Sequence, residues 1–173
     1  RNKLKLYEKL KENGLPVPKT NKLMIEEGIE KAQKIVENMG FPVIIKPIEG
    51  IGCYGLSLVK TFSQLPLAIS KIKEEAKNNT YLIQEFVEGT HASVSLISNG
   101  KKAMPLTLNL QTIALNPPSK ASSYIGGIVP FDHESREKAF QIAKRTVESF
   151  RGLRGYIGVC LLYTSPSPRD RQK

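Results

Sequence analysis

The sequence has no tryptophan, and aromatic residues make up only 7% of its 173 positions. That leaves little material for the stacked platforms on which single-stranded nucleic acid is read. Cysteine occurs twice, at Cys53 and Cys160. Two cannot build a disulfide framework, so a reducing, cytoplasmic setting is expected. Neither lies in a Cys-x-x-Cys pair or beside a histidine, so no catalytic thiol is expected either. His91 and His133 are isolated from other ligands at metal spacing, which argues against a histidine-based metal site. No stretch approaches the roughly 18 uninterrupted apolar residues of a membrane span, so no membrane partner is expected. The chain opens at Arg1 without a charged-then-apolar leader, and an internal start is expected rather than a secretory signal.

The residues that are present make an ordinary globular mixture, 40% apolar and 24% charged. Such a length suits one domain, or two small subdomains sharing a cleft. Lys and Arg number 26 against 16 Asp and Glu, a formal charge of +10. That excess attracts polyanions: nucleic acid, acidic lipid or the phosphates of a small ligand. The positive residues do not cluster, however. Lys3, Lys5, Lys9 and Lys11 alternate with apolar positions, and Lys71, Lys73 and Lys77 mix with Glu74 and Glu75. Both groups read as solvated helix faces, so a nucleic-acid partner is not expected.

Helical spacing of Leu4, Tyr7 and Leu10 predicts a helix from Lys3 to about Asn13, capped by Asn2 and ended by Gly14. The prolines of Leu15-Pro16-Val17-Pro18 require extended chain. A second helix is expected from about Glu26 to Met39, with Gly40 at its C-cap. FPVIIKP, residues 41–47, is an apolar, β-branched run suited to a buried strand. The loop Glu49–Gly55 leads to a strand at 56–60. A helix is expected over 64–77 and a strand over 81–86. Beyond Gly89 the alternation of 92–97, the turn Asn99-Gly100 and a returning strand at 104–111 predict a hairpin, since both turn residues tolerate positive φ. Residues 114–127 read as loop, 135–151 as helix and 155–160 as strand. The pattern then breaks. LLYTSPSPRDRQK, residues 161–173, has two Ser-Pro pairs and no apolar period, and disorder is expected there. The string also resembles a translated sequencing adaptor at a contig end. On that view the native sequence continues differently after about residue 160; the alternative is a genuine flexible tail.

Two stretches could carry chemistry. In KPIEGIGCYG, the glycines at 50, 52 and 55 lack Cβ atoms, so backbone N–H groups there can approach a phosphate closely. Lys46 adds a fixed positive charge at the end of the preceding strand. The loop is neither a Walker motif nor a dinucleotide fingerprint, because no Gly-Lys-Ser/Thr follows and the next element is a strand. In QEFVEG, residues 84–89, a strand exits into the second half beside an apolar ring, which suits a flat heterocycle. Taken singly, a glycine-rich turn, a strand end and a surface Lys3 are ordinary features.

Their order is more specific. A lysine-bearing helix, NGLPVPKT, FPVIIKP, a glycine loop, LSLVK, a helix and YLIQEFVEG follow one another. Over about residues 1–160 this series resembles the ATP-grasp superfamily. The resemblance implies an α+β fold of two subdomains with antiparallel or mixed sheets enclosing a nucleotide cleft. It implies an entry helix and linker at 1–19, a nucleotide-binding subdomain at 20–86 and a partial catalytic subdomain at 87–160. It further implies that Lys3 and Lys46 contact ATP phosphates under a loop bearing Gly50, Gly52 and Gly55. The Glu85 carbonyl and Val87 amide would read the adenine edge, and Phe86 would pack on the ring. QEFVEGTHASVSL, LNLQTI and SSYIGGIVPFDH resemble the branch of carboxylate–amine ligases that holds the tyramine–L-glutamate ligases of methanofuran biosynthesis. In those enzymes ATP phosphorylates a carboxylate and an amine attacks the acyl phosphate.

Two departures qualify the resemblance. His91 stands where many of these ligases have a ribose-binding Glu, which leaves Glu88 as the candidate. Cys160 stands where an Asp is usual in the phrase like GYIGVD, and no Glu-x-Asn follows. Mg²⁺ needs hard oxygen ligands, so it is expected in the intact parent enzyme, with its ligands missing here. The expectation is therefore a ligase fragment that binds ATP and small-molecule substrates without turning over. The alternatives are a non-catalytic nucleotide-binding module and, more remotely, a basic nucleic-acid binder.

Overall fold

The computed structural model describes residues 2–76 and 79–163. In chain order the elements are α1 (Lys3–Glu12), β1 (Thr20–Met24), α2 (Ile29–Met39), β2 (Val43–Pro47), β3 (Ser57–Val59), α3 (Leu65–Ala76), β4 (Thr80–Glu85), β5 (Thr90–Asn99), β6 (Ala103–Ala114), β7 (Ser123–Ile128), α4 (Arg136–Glu148) and β8 (Arg154–Tyr163). Two compact units result. One comprises Arg1–Phe86 with Ile113–Ile125, the other Val87–Thr112 with Gly126–Lys173.

In the first unit a four-stranded sheet has the order β1-β4-β2-β3, with every neighbouring pair antiparallel. Alternation along β2 decides its two faces. Val43 and Ile45 lie fully buried with Val59, Tyr81, Ile83 and Leu23, against Ala32 and Val36 of α2 and Leu65, Ala68 and Ile72 of α3. Ile44 and Lys46 point the other way, beside their neighbours Gln84 and Leu82 on β4. Each fully buried aliphatic side chain contributes roughly 1.5–3 kcal/mol. The helix-facing set therefore fixes the register, since a one-residue slip would exchange the two faces.

The second sheet has the order β7-β6-β5-β8. Ala92, Val94, Leu96 and Leu108 pack on Ala139, Ala143 and Val147 of α4, with Ile157, Val159 and Leu161 alongside. The alternate residues of β5 and β8, among them Ser93, Ser95, Tyr156 and Cys160, form the other face.

Several expectations need correction. β1 was not foreseen: in TNKLM only Leu23 is buried, so no alternation announces it, and pairing with β4 makes it a strand. β7 falls in the stretch read as loop. Its Gly126-Gly127 pair speaks for a turn, but its place beside β6 wins. α2 starts at Ile29, because Gly28 takes φ 83° and separates it from a single 3-10 turn at Ile25–Glu27. Only Gly100 has positive φ in the β5–β6 turn. Asn99 instead uses its side chain, whose Oδ1 accepts from the amides of Lys101 and Lys102 at 3.0 and 2.8 Å. Lys71 is not on a solvated face. It is 7% exposed, and its Nζ donates to the Lys120 carbonyl at 2.9 Å. β8 runs three residues beyond Cys160: Leu161 packs in the core, and Leu162 and Tyr163 pair with His91 and Thr90. The remaining tail, 164–173, lies outside the described residues, as does the expectation of disorder there.

Candidate functional site

The first unit gathers Lys3, Lys46 and the glycine loop. α1 begins against the segment that follows β2: the Lys3 amide donates to the Ile48 carbonyl at 2.9 Å. Asn2 caps the helix by accepting from the Lys5 amide at 2.9 Å. This docking brings the Lys3 Nζ to the Gly50 carbonyl at 3.1 Å. Lys46, half-buried near the end of β2, donates from Nζ to the Gln84 Oε1 at 2.7 Å. An ammonium only donates, so the Gln84 amide oxygen must face it. The Gln84 Nε2 then donates to Thr20 Oγ1 at 2.7 Å, and that hydroxyl to the Pro18 carbonyl at 2.9 Å. This relay aims the Lys46 head. Sequence reasoning missed Gln84 and Thr20 as positioning residues, because a relay spanning three strands leaves no local pattern.

The electrostatics follow from that crowding. Burial pushes Lys46 down to about 8, and the nearby positive charge of Lys3 pushes the same way. Lys3 is lowered as well, chiefly by burial, with Glu49 opposing. Two partly buried cations held close together are destabilised until an anion neutralises them.

The loop after β2 is left-handed at several points: Gly50, Gly52 and Gly55 take φ 120°, 68° and 66°, and Cys53 takes 67°. Cys53 is the only non-glycine among the described residues with positive φ. Among the described residues, no hydrogen bond engages the amides of Gly50, Ile51, Gly52 or Cys53. The tip is exposed at Ile51 and Tyr54. Gly55 differs from the other glycines. Its amide is held by the Glu75 Oε2 at 2.9 Å, and a Cβ there would meet Ile72 Cδ1 and Pro47 Cδ at 3.3 Å. Close packing at the base of the loop is its evident role.

At the other end of β4, Glu85 is gripped twice. Its amide donates to the Lys19 carbonyl at 2.9 Å, while its Oε1 accepts from the Lys19 amide at 2.8 Å. The Phe86 amide donates to the Pro42 carbonyl at 3.3 Å. Val87 and Glu88 begin the second unit; no hydrogen bond among the described residues engages the Val87 amide, and Glu88 is exposed.

A family model described as an ATP-grasp domain matches residues 1–169. The chain belongs to the ATP-grasp family. The tyramine–L-glutamate ligase of Methanocaldococcus jannaschii is 38% identical over 105 residues, 58% of this chain and 32% of that protein. The chain thus spans about a third of the length of the tyramine–L-glutamate ligases it matches. Among solved structures, the VanG D-Ala:D-Ser ligase of Enterococcus faecalis superposes with a TM-score of 0.81 at 19% identity, over 94% of this chain and 48% of that one. A carboxyaminoimidazole ribonucleotide synthase of Aspergillus clavatus, complexed with ATP, gives 0.77 at 17% identity, over 93% and 40%. These structural likenesses carry the ATP-grasp fold, two sheets with flanking helices.

The resemblance read from the sequence implies Mg²⁺, an ion of hard oxygen ligands. Ser93 lies opposite Asn109 on β6 and Cys160 on β8, which puts a hydroxyl, a carboxamide and a thiol in one row. No carboxylate joins them, and no group of three or more His, Cys, Asp or Glu among the described residues could hold a metal ion. Mg²⁺ demands near-octahedral hard oxygen, so this donor set does not fit it.

Proposed function

We propose that this chain is the nucleotide-binding part, with some of the catalytic part, of an ATP-dependent carboxylate–amine ligase. One observation carries the reading: Lys3 and Lys46 converge beside a loop whose amides, from Gly50 to Cys53, have no partner among the described residues. Two cations and several free N–H groups suit a polyphosphate. Lys46 and Lys3 offset phosphate charge, and Gly50 and Gly52 allow the loop backbone close approach. Gly55 fixes the loop's base. The Glu85 carbonyl accepts from the adenine amino group, the Val87 amide donates to the ring, and Phe86 packs on its face. Glu88 takes the ribose hydroxyls.

In the reaction of the intact enzyme, a substrate carboxylate oxygen attacks the γ-phosphorus of ATP, and ADP leaves. The amine nitrogen then attacks the acyl carbon. Its C–N bond forms as the C–O bond to phosphate breaks, and the nitrogen loses a proton. By likeness to the Methanocaldococcus relative, the acid is glutamate and the amine tyramine; the scarcity of cysteine and the dispersed charge speak for the cytoplasm and for no nucleic-acid partner. A second reading, binding without catalysis, is favoured by Cys160, Ser93 and Asn109, which supply no carboxylate.

Calorimetric titration with ATP tests both readings. Saturable binding is expected, and Lys46→Ala should weaken it by about 1.5–3 kcal/mol, the scale of a charge-assisted contact. Lys101→Ala, on the exposed β5–β6 turn, serves as the control and should change nothing measurable. Lys71 does not serve, since it is buried. Equal curves for the two variants would refute the phosphate assignment. With Mg²⁺, glutamate and tyramine added, no phosphate release is expected from the 173-residue chain; release at an ordinary ligase rate would refute the second reading.

A further inference from the structure

The glycine loop is held at two points, and only one belongs to the lysine pair. At its start the Lys3 Nζ grips the Gly50 carbonyl. At its base the Gly55 amide donates to Glu75 on α3. Between these points lie the unengaged amides. The Gly55 backbone lies close against Pro47 and Ile72, where a Cβ would meet both at 3.3 Å. Glu75 is itself oriented. Its other oxygen, Oε1, stands 3.9 Å from the Nζ of Lys71, one turn earlier on α3. That ammonium is buried and fixed by the Lys120 carbonyl, within a segment tied to β3 by the bond from the Leu58 amide to the Asn116 carbonyl at 2.9 Å. A buried cation needs an opposite charge, and Glu75 is the acid beside it.

We infer that Glu75 is a positioning residue for the nucleotide, acting through the loop. Its carboxylate sets the base of the Gly50–Gly55 turn, so the free amides stand where phosphate oxygens will lie. Lys71 holds that carboxylate in place, and α3 thereby links the loop to the 116–122 segment of the same unit. The inference rests on the nucleotide reading for its consequence, but not for its geometry.

The test compares Glu75→Ala and Glu75→Gln with the wild-type chain. Hydrogen exchange at the Gly55 and Leu56 amides is followed without nucleotide, and ATP affinity is measured by calorimetry. Glu75→Ala should speed exchange at Gly55 by about tenfold or more while β4 amides exchange as before, since only a local opening is promoted. It should also weaken ATP binding by about tenfold, the scale of one charge-assisted hydrogen bond. Glu75→Gln keeps an acceptor for the Gly55 amide, and should restore most of the protection and most of the affinity. Unchanged exchange at Gly55 in Glu75→Ala would overturn the inference. So would equal losses in both variants, or faster exchange throughout β4. If the wild-type chain bound no ATP while the exchange pattern held, the nucleotide reading would fall and the anchoring of the loop would stand.

Discussion

The two sheets are built alike and equipped differently. Each is four-stranded, each has antiparallel neighbours wherever β2, β4 and β5 pair, and each buries one face, the first under α2 and α3 and the second under α4. In the first unit the other face carries Lys46 and Gln84, with Lys3 and the free loop amides close by. In the second it carries Ser93, Ser95, Asn109, Tyr156 and Cys160. One face is crowded with positive charge. At the centre of the other is an uncharged polar network, in which Asn109 Nδ2 donates to Ser95 Oγ at 2.9 Å and Ser95 shares a hydrogen bond with the Tyr156 hydroxyl at 2.7 Å. The architecture is therefore silent about chemistry; the alternate residues of a few strands supply it.

That contrast can be broken first at the cores, where the sheets should behave alike. Ile45→Ala and Leu96→Ala each empty a fully buried site. Each should cost about 2–5 kcal/mol in denaturant unfolding. A loss far smaller at Leu96 would mean that the second core is loosely packed.

The charged face should respond to pH where the neutral one does not. Lys46 titrates at about 8 in the fold, below its ordinary 10.5. Anion binding needs its charged form, so ATP affinity should fall as pH rises, by up to about tenfold between pH 7 and 9. The stability of the ligand-free chain should move the opposite way. Folding disfavours the charged lysine, so stability rises between about 8 and 10.5, where the unfolded chain still holds the proton. ATP affinity flat across this range would remove Lys46 from the phosphate site.

The smallest effect belongs to the neutral network. Tyr156 is 72% exposed, so Tyr156→Phe should cost no more than about 0.5–1.5 kcal/mol, the net worth of one hydrogen bond. Thermal unfolding measures it, and ATP affinity should not change. A larger loss would show that Tyr156 orders the whole Ser95–Asn109 row.

How much of this was legible depended on the range of the interaction concerned. FPVIIKP announced both a buried strand and a lysine at its end, because alternation and β-branching are local. The glycine loop was equally visible, since positive φ selects its own residue. Gln84, Thr20 and Glu75 were not visible. Their partners lie 38, 64 and 20 residues away, and the helix period says nothing about such bonds. Lys71 misled for a related reason. It flanks the stripe of Ala68 and Ile72, and what covers it is a segment about fifty residues later in the chain, reached by its Nζ at Lys120. The edge strands β1 and β7 escaped because sheet pairing, not side-chain alternation, makes them.

β2 writes two messages on alternate letters: Val43 and Ile45 address the helices, Ile44 and Lys46 the opposite side. A substitution edits one letter. Deleting a single codon within the strand would exchange the messages, turning the lysine into the apolar layer and an isoleucine out of it. This five-residue strand should thus tolerate a conservative apolar replacement at Ile44, which is itself buried, but no change of length. Among natural variants of this segment, gaps should stay out of residues 43–47.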